Sequence, residues 1–94
     1  SILCLPSAIE AWDVSAPSDM TRASFDRVVA ERDRIEILLV GVGRSILLLP
    51  RPLVDALRDA GLGVDAMDTG AACRTYNILL AEGRAVAAAL LAVH

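Results

Sequence analysis

Apolar residues along this chain fall into short blocks with two distinct periods. Ile2-Leu3-Cys4-Leu5 is continuous and stops at Pro6-Ser7, which predicts a buried strand. Ile9 to Val14 partly alternates apolar with polar positions and predicts a second strand that closes a hairpin on the first. Residues 15–20 read as a loop around Pro17. Thr21 is then a candidate cap for a helix reaching about Glu31. Phe25, Val28 and Val29 form its apolar stripe, and Arg22, Asp26, Arg27 and Arg32 form a solvated face. Glu36 to Val40 is apolar after a charged start and is bounded by a glycine, as in a strand covered on both faces. Ser45 to Leu49 predicts a further strand. Pro52 to about Ala60 predicts a helix with Leu53, Leu57 and Ala60 inward, ended by Gly61. Gly63 then leads into a short strand, Val64 to Met67.

The stretch from Asp68 to Arg84 carries the most specific pattern. Thr69 is expected to cap a helix and Gly70 to turn the chain between strand and helix. Ala71 to Glu82 are good or neutral helix formers, and Gly83 stops the helix. Ala72, Tyr76, Leu79 and Leu80 make its apolar stripe, with Cys73 and Ile78 beside it. Asn77 falls near the edge of that stripe, where its amide would be partly buried and would need partners. Beyond Gly83, periodicity leaves two readings open. The alanines favour a helix, while Val86, Leu90, Leu91 and Val93 suit a strand.

Strand, helix, strand, helix in the second half, after a hairpin at the front, predicts an α/β fold. Its sheet is mixed and partly parallel, flanked by helices in a compact three-layer domain. The chain has 94 residues, which is one domain, and 55% of them are hydrophobic, mostly aliphatic. All nine basic residues are arginine, the net charge is −3, and no basic stripe exists, so nucleic acid is excluded as a partner. The longest apolar run, Ala85 to Val93, is far short of the ~20 residues that span a bilayer. Cys4 and Cys73 stand far apart in sequence and make no disulfide framework, which points to a reduced, cytoplasmic chain.

The candidate chemistry is sparse. Gly41-Val42-Gly43-Arg44 lacks the Gly-Lys-Ser/Thr ending of a phosphate loop and reads as a tight turn. The one histidine, His94, is the last residue, so nothing positions it as a base, and no triad or zinc spacing is available. No metal or other cofactor is expected. Cys73 near a helix N-terminus is the best nucleophile, yet Asp68 opposes its activation and a small buried cysteine is the simpler reading. Glu82 and Arg84 read as a structural ion pair. If the strands ending at Val40 and Met67 are parallel neighbours, the turn at 41–44 and the start of the long helix share one edge of the sheet, where open α/β sheets bind ligands. Gly43, Arg44, Asp68, Thr69, Arg74, Tyr76 and Asn77 then rim either a small-molecule pocket or a partner-binding edge.

Asp68-Thr69-Gly70-Ala71-Ala72-Cys73-Arg74-Thr75-Tyr76-Asn77, followed by Glu82-Gly83-Arg84 and the alanine run to Leu90, resembles the Mth938-like domain family. Leu39 to Arg44, Leu49-Pro50 and Gly61 to Asp65 are similar to that family as well. Its members include a mitochondrial respiratory complex I assembly factor, an adipogenesis-associated vertebrate protein and uncharacterised bacterial and archaeal proteins. The resemblance implies that Arg84 to Val93 is a strand. It further implies that a full-length protein carries an additional N-terminal strand segment before residue 1. In function it implies a non-enzymatic binding or assembly factor, with respiratory complex I subunits or membrane-protein biogenesis machinery as partners. The alternative is a protein that binds, or acts on, a small anionic metabolite in a pocket near Thr69, Arg44 and Asn77.

Overall fold

The computed structural model describes residues 1–44 and 49–92. Strands β1 (Ile2–Cys4) and β2 (Ile9–Ala11) form the expected antiparallel hairpin, with Cys4 opposite Ile9. The second strand is shorter than its sequence pattern. Trp12 and Val14 lie beyond the strand and are buried in the core, with Trp12 N–H still donating to Ser1 O at 2.9 Å. Thr21 starts the next helical segment with a cap in which its N–H donates to Ser24 Oγ at 3.1 Å. The segment opens as a 3₁₀ turn, Arg22–Phe25, and continues as α1 (Asp26–Ala30).

Strand β3 (Ile37–Gly41), helix α2 (Arg51–Asp59), strand β4 (Gly63–Met67), helix α3 (Thr69–Ala81) and strand β5 (Val86–Leu90) follow. The sheet runs β2-β1-β5-β3-β4. Strand β5 is parallel to β3, which is parallel to β4, whereas β1 is antiparallel to β5. The result is the mixed, partly parallel sheet expected of this pattern. Of the further strand expected at Ser45 to Leu49, residues 45–48 lie outside the described residues. Leu49 itself packs, partly buried, against the core.

The alternating side chains of β5 show why the sheet needs two covering layers. Val86, Ala88 and Leu90 face α3 with Cys4 and Leu39, and Ala72 of the helix packs into the same cluster. Ala87, Ala89 and Leu91 join the larger cluster on the other side, with Phe25, Val28, Leu38, Val40, Leu53 and Leu57. Alanine has the highest helix propensity, yet this run is a central strand. Burial on both faces and pairing on both edges outweigh an intrinsic preference of under 1 kcal/mol per residue. Trp12 fills the larger cluster. Its ring meets Phe25 edge to face at 5.3 Å, and its Nε1 donates to the Ser24 carbonyl at 2.8 Å.

Both long helices end in the same way. Gly61 and Gly83 have φ of +96° and +75°. After α3, Arg84 N–H donates to Leu79 O at 3.0 Å and Gly83 N–H to Leu80 O at 3.0 Å. These are the paired bonds of a Schellman ending, which needs a residue that tolerates positive φ. The start of α3 departs from expectation. Its cap is Asp68, whose Oδ1 accepts from Ala71 N–H at 2.9 Å, and Thr69 is the first helical residue. Gly70 lies inside the helix with no positive φ, so the turn between strand and helix does not depend on it.

Candidate functional site

The expected juxtaposition of the turn after β3 with the start of α3 is present. Gly41 pairs with Met67 at the ends of β3 and β4, and Val42 N–H donates to Met67 O at 2.9 Å. A Cβ on Gly41 would stand 2.9 Å from Thr69 Cα, so only glycine lets the helix start this close to the sheet. Thr69 then ties three segments together. Its N–H donates to Gly43 O at 2.8 Å, and its hydroxyl accepts from Gly43 N–H at 2.9 Å and donates to Leu91 O at 2.8 Å. The hydroxyl is therefore engaged in both directions inside the protein. With Asp68 on Ala71 N–H, the helix N-terminus carries its own carboxylate.

Gly43, Asp68 and Thr69 thus meet, as the sequence places them. Arg44 is exposed on the same turn, which Gly43 makes at φ +90°. Arg74 is exposed, and its Nη1 comes back over Gly70, 3.5 Å from where a Cβ would lie. Tyr76 lies further along, half buried against the α3-side core, and burial, then the nearby Cys4, pushes its phenol above its ordinary value. Asn77 corrects the expectation of a partly buried amide, because it is exposed. The stripe is also narrower than expected. Ala72 is buried and Cys73, Tyr76 and Leu79 rest on the sheet, but Ile78 and Leu80 are 59% and 52% exposed. The helix lies over β5 and β3, so its flanks reach beyond the surface it covers.

That placement leaves β2 and the start of β1 uncovered on the α3 side, while Cys4 stays buried. Cys4 belongs to the α3-side cluster, and cross-strand partners share a face. Ile2, Ile9 and Ala11 therefore point the same way as Cys4. Ile9 is 69% exposed and Ile2 is 40% exposed. Leu80 recurs seven residues after Cys73, which lines a hollow with Ile2, and so lies on the same flank of α3 as Cys73. At one end of the face is an open hollow of about 230 Å³, lined by Ser1, Ile2, Thr69, Cys73, Leu90, Leu91 and Ala92. None of these side chains is charged.

Sequence reasoning missed the polar cluster on the opposite layer. Glu31, its side chain only 8% exposed, accepts from the N–H and hydroxyl of Ser7 in the hairpin turn and pairs with Arg34 at 2.9 Å and Arg27 at 3.3 Å. The Ser7 hydroxyl bond, then the Ser7 N–H and the two guanidiniums, holds its carboxyl below the usual range. Arg27 also chelates Glu10 on β2, at 3.1 and 2.6 Å. Helical spacing of Arg27, Glu31 and Arg34 hinted at the local part. The links to residues 7 and 10 exist only in the fold. Arg84 brings a further correction, since it pairs with Glu36 at 2.9 Å across the sheet end instead of forming the expected pair with Glu82. Among the described residues, no group of acidic, histidine or cysteine side chains is placed to hold a metal ion, and no helix is long and apolar enough to cross a membrane.

Comparison with known proteins fits this architecture. The mouse NADH dehydrogenase [ubiquinone] 1 alpha subcomplex assembly factor 3 is 38% identical over 87 residues, covering 93% of this chain and 47% of its own length. The chain therefore spans about half the length of that relative. A crystal structure described as an outer membrane protein from Bartonella henselae superposes with a TM-score of 0.94 at 48% identity, over 100% of this chain and 79% of that one. The solution structure of a Bordetella pertussis protein described as a Mth938-like domain superposes with a TM-score of 0.82 at 37% identity, over 96% and 72%. The model of a protein family of unknown function, DUF498/DUF598, matches residues 1–91. With the family model matching residues 1–91 and the solved structures superposing over nearly the whole chain, the chain belongs to the DUF498/DUF598 family and has the Mth938-like fold.

Proposed function

We propose that this domain is a non-enzymatic protein-binding module that serves assembly, in a role similar to that of the complex I assembly factor it resembles. The observation that carries this reading is the uncovered sheet face. Ile2, Ile9 and Ala11 of the hairpin and Leu80 of α3 expose apolar surface on one side of the molecule. Contiguous exposed apolar surface is the mark of an interaction site. Asn77 lies four residues after Cys73 on the same flank of α3, and Arg74 and Arg44 lie toward the helix start. Together they form the polar border that surrounds an apolar interface core. The partner is a protein, with respiratory complex I subunits or membrane-protein biogenesis machinery as the expected class, met from the cytoplasmic side.

The test is affinity purification of the full-length protein from its native host, read by mass spectrometry. Three baits are compared: wild type, Ile9→Asp with Leu80→Asp, and Arg44→Ala with Asn77→Ala. The reading expects one recurrent partner that is lost with the first pair and weakened with the second. A partner retained by both variants would move the interface elsewhere. The absence of any partner would remove support for an assembly role.

A further inference from the structure

Among the described residues the sheet ends in two open edges, β2 and β4. At β2 two contacts fix which backbone groups face outward. Leu5 N–H donates to Ala8 O, and Trp12 N–H donates to Ser1 O, each at 2.9 Å. Those cross-strand pairs are hydrogen-bonded ones, and in an antiparallel ladder bonded and non-bonded pairs alternate. Leu3 and Glu10 are then a bonded pair, whereas Cys4 with Ile9 and Ile2 with Ala11 are not. Ile9 and Ala11 therefore aim their N–H and C=O groups away from β1, at the open edge. Such a row of groups is a template for another strand.

Charge separates the two edges. On β4, Gly63 N–H donates to Glu36 O and Met67 O accepts from Val42 N–H, so Val64 and Ala66 are the residues that face outward. Pairing this edge with its own copy, Val64 against Ala66, sets the exposed Asp65 directly opposite Asp65. Like charges so placed oppose association. The same operation on β2, Ile9 against Ala11, sets Glu10 opposite Glu10. Here each carboxylate brings its own counter-charge, because Arg27 chelates it at 3.1 and 2.6 Å. Each half is neutral, and the half-exposed guanidinium of one copy is carried up to the carboxylate of the other. We propose that the β2 edge docks a second copy of this chain, antiparallel and centred on Glu10, so that two sheets join into one.

In this register both Ile9–Ala11 pairs are of the bonded kind, and each exchanges two backbone hydrogen bonds. Glu10 and its copy form the close, non-bonded pair between them. The two-fold axis stands perpendicular to the sheet, so α3 lies on the same side in both copies. The exposed Ile2, Ile9 and Ala11 surfaces then become continuous across the axis. The strands are short and the interface is small, so the dimer exchanges with monomer at micromolar concentration. The inference does not rest on the assembly reading or on the identity of any other partner.

The experiment takes the purified full-length protein from low micromolar to millimolar concentration and follows sedimentation and NMR amide exchange together. The expected result is a reversible monomer–dimer equilibrium. Exchange at the Ile9 and Ala11 amides should slow roughly tenfold when about nine-tenths of the protein is dimeric, because only free monomer exchanges there. Ile9→Pro removes an edge N–H without removing a bond to β1, and should weaken the dimer roughly tenfold or more. Arg27→Ala leaves two carboxylates facing each other. It should also weaken the dimer, and added salt should restore part of the loss by screening. A protein that stays monomeric with both amides unprotected would overturn the proposal. So would a dimer whose Ile9 and Ala11 amides exchange freely, or one that Ile9→Pro leaves intact. Protection of both amides in a monomer would overturn it as well, by showing that another segment of the full-length chain covers this edge. The wild-type measurements decide the matter even if Ile9→Pro folds poorly.

Discussion

The Thr69 hydroxyl sits between Gly43 and Leu91, accepting from one backbone at 2.9 Å and donating to the other at 2.8 Å. It joins the turn after β3 to the chain leaving β5, two segments that come together only where α3 begins. Thr69→Val keeps the shape and removes both bonds, leaving the Gly43 amide and the Leu91 carbonyl without this partner. Each such loss costs about 1–3 kcal/mol. We expect Thr69→Val to lose roughly 2–4 kcal/mol in urea unfolding and Thr69→Ser to recover most of it. Equal stability of the valine and serine variants would show that the hydroxyl is not what holds this junction.

Gly41 and Gly83 call for different penalties. At Gly83 the cost of a side chain is backbone strain alone, because its φ is +75° and no atom lies within 4 Å of an added Cβ. Gly83→Ala should therefore lose about 1 kcal/mol. At Gly41 the added methyl meets Thr69 Cα at 2.9 Å and Leu90 Cδ2 at 3.1 Å, and backbone cannot step aside cheaply. Gly41→Ala should lose more, roughly 1–3 kcal/mol or above. Thermal melts of the two variants side by side would settle the order, and a milder effect at Gly41 would contradict the close approach.

Asp68 rather than Thr69 caps α3. Asp68→Ala should cost about 1 kcal/mol, while Asp68→Asn should retain most of the cap. Far-UV circular dichroism during thermal unfolding provides the readout. An alanine variant as stable as wild type would mean that water serves Ala71 N–H equally well.

Glu10 and Glu31 should make the protein acid-sensitive. Both carboxyls are held below their ordinary values, Glu10 chiefly by its bonds to Arg27 and Glu31 chiefly by the Ser7 hydroxyl. A folded-state pKa below the unfolded one means that the unfolded chain binds more protons in that interval, so stability falls as pH falls. The contribution is complete above the unfolded carboxylate value of about 4.3 and is lost as pH drops through the depressed folded values. Tm measured from pH 6 down to pH 3 should fall, and Glu31→Gln should flatten the slope. An unchanged slope in Glu31→Gln would remove Glu31 from the cause.

Much of this architecture was legible because local chemistry agreed with the fold. Gly61 and Gly83 mark the helix ends, the continuous run Ile37 to Val40 marks a strand covered on both faces, and the hairpin follows from the break at Pro6-Ser7. The parallel pairing of β3 with β4, and with it the meeting of Gly43, Asp68 and Thr69, followed from strand order alone. Asn77 was misplaced because a spacing of three and four locates a stripe but not its width, and the width depends on how far the sheet extends beneath the helix.

The sequence by itself determined roughly where most elements lie and how both long helices end, because glycine turns and apolar period act over a few residues. It also determined the family, through the Asp68 to Leu90 stretch. Other relationships were decided only by tertiary structure: the Arg84–Glu36 pair, the Glu31 cluster with Ser7, and the exposed apolar side chains of Ile9 and Leu80. Each depends on which strand lies beside which and on how a helix sits across them. Those are long-range contacts whose partners leave no mark in one another's local sequence.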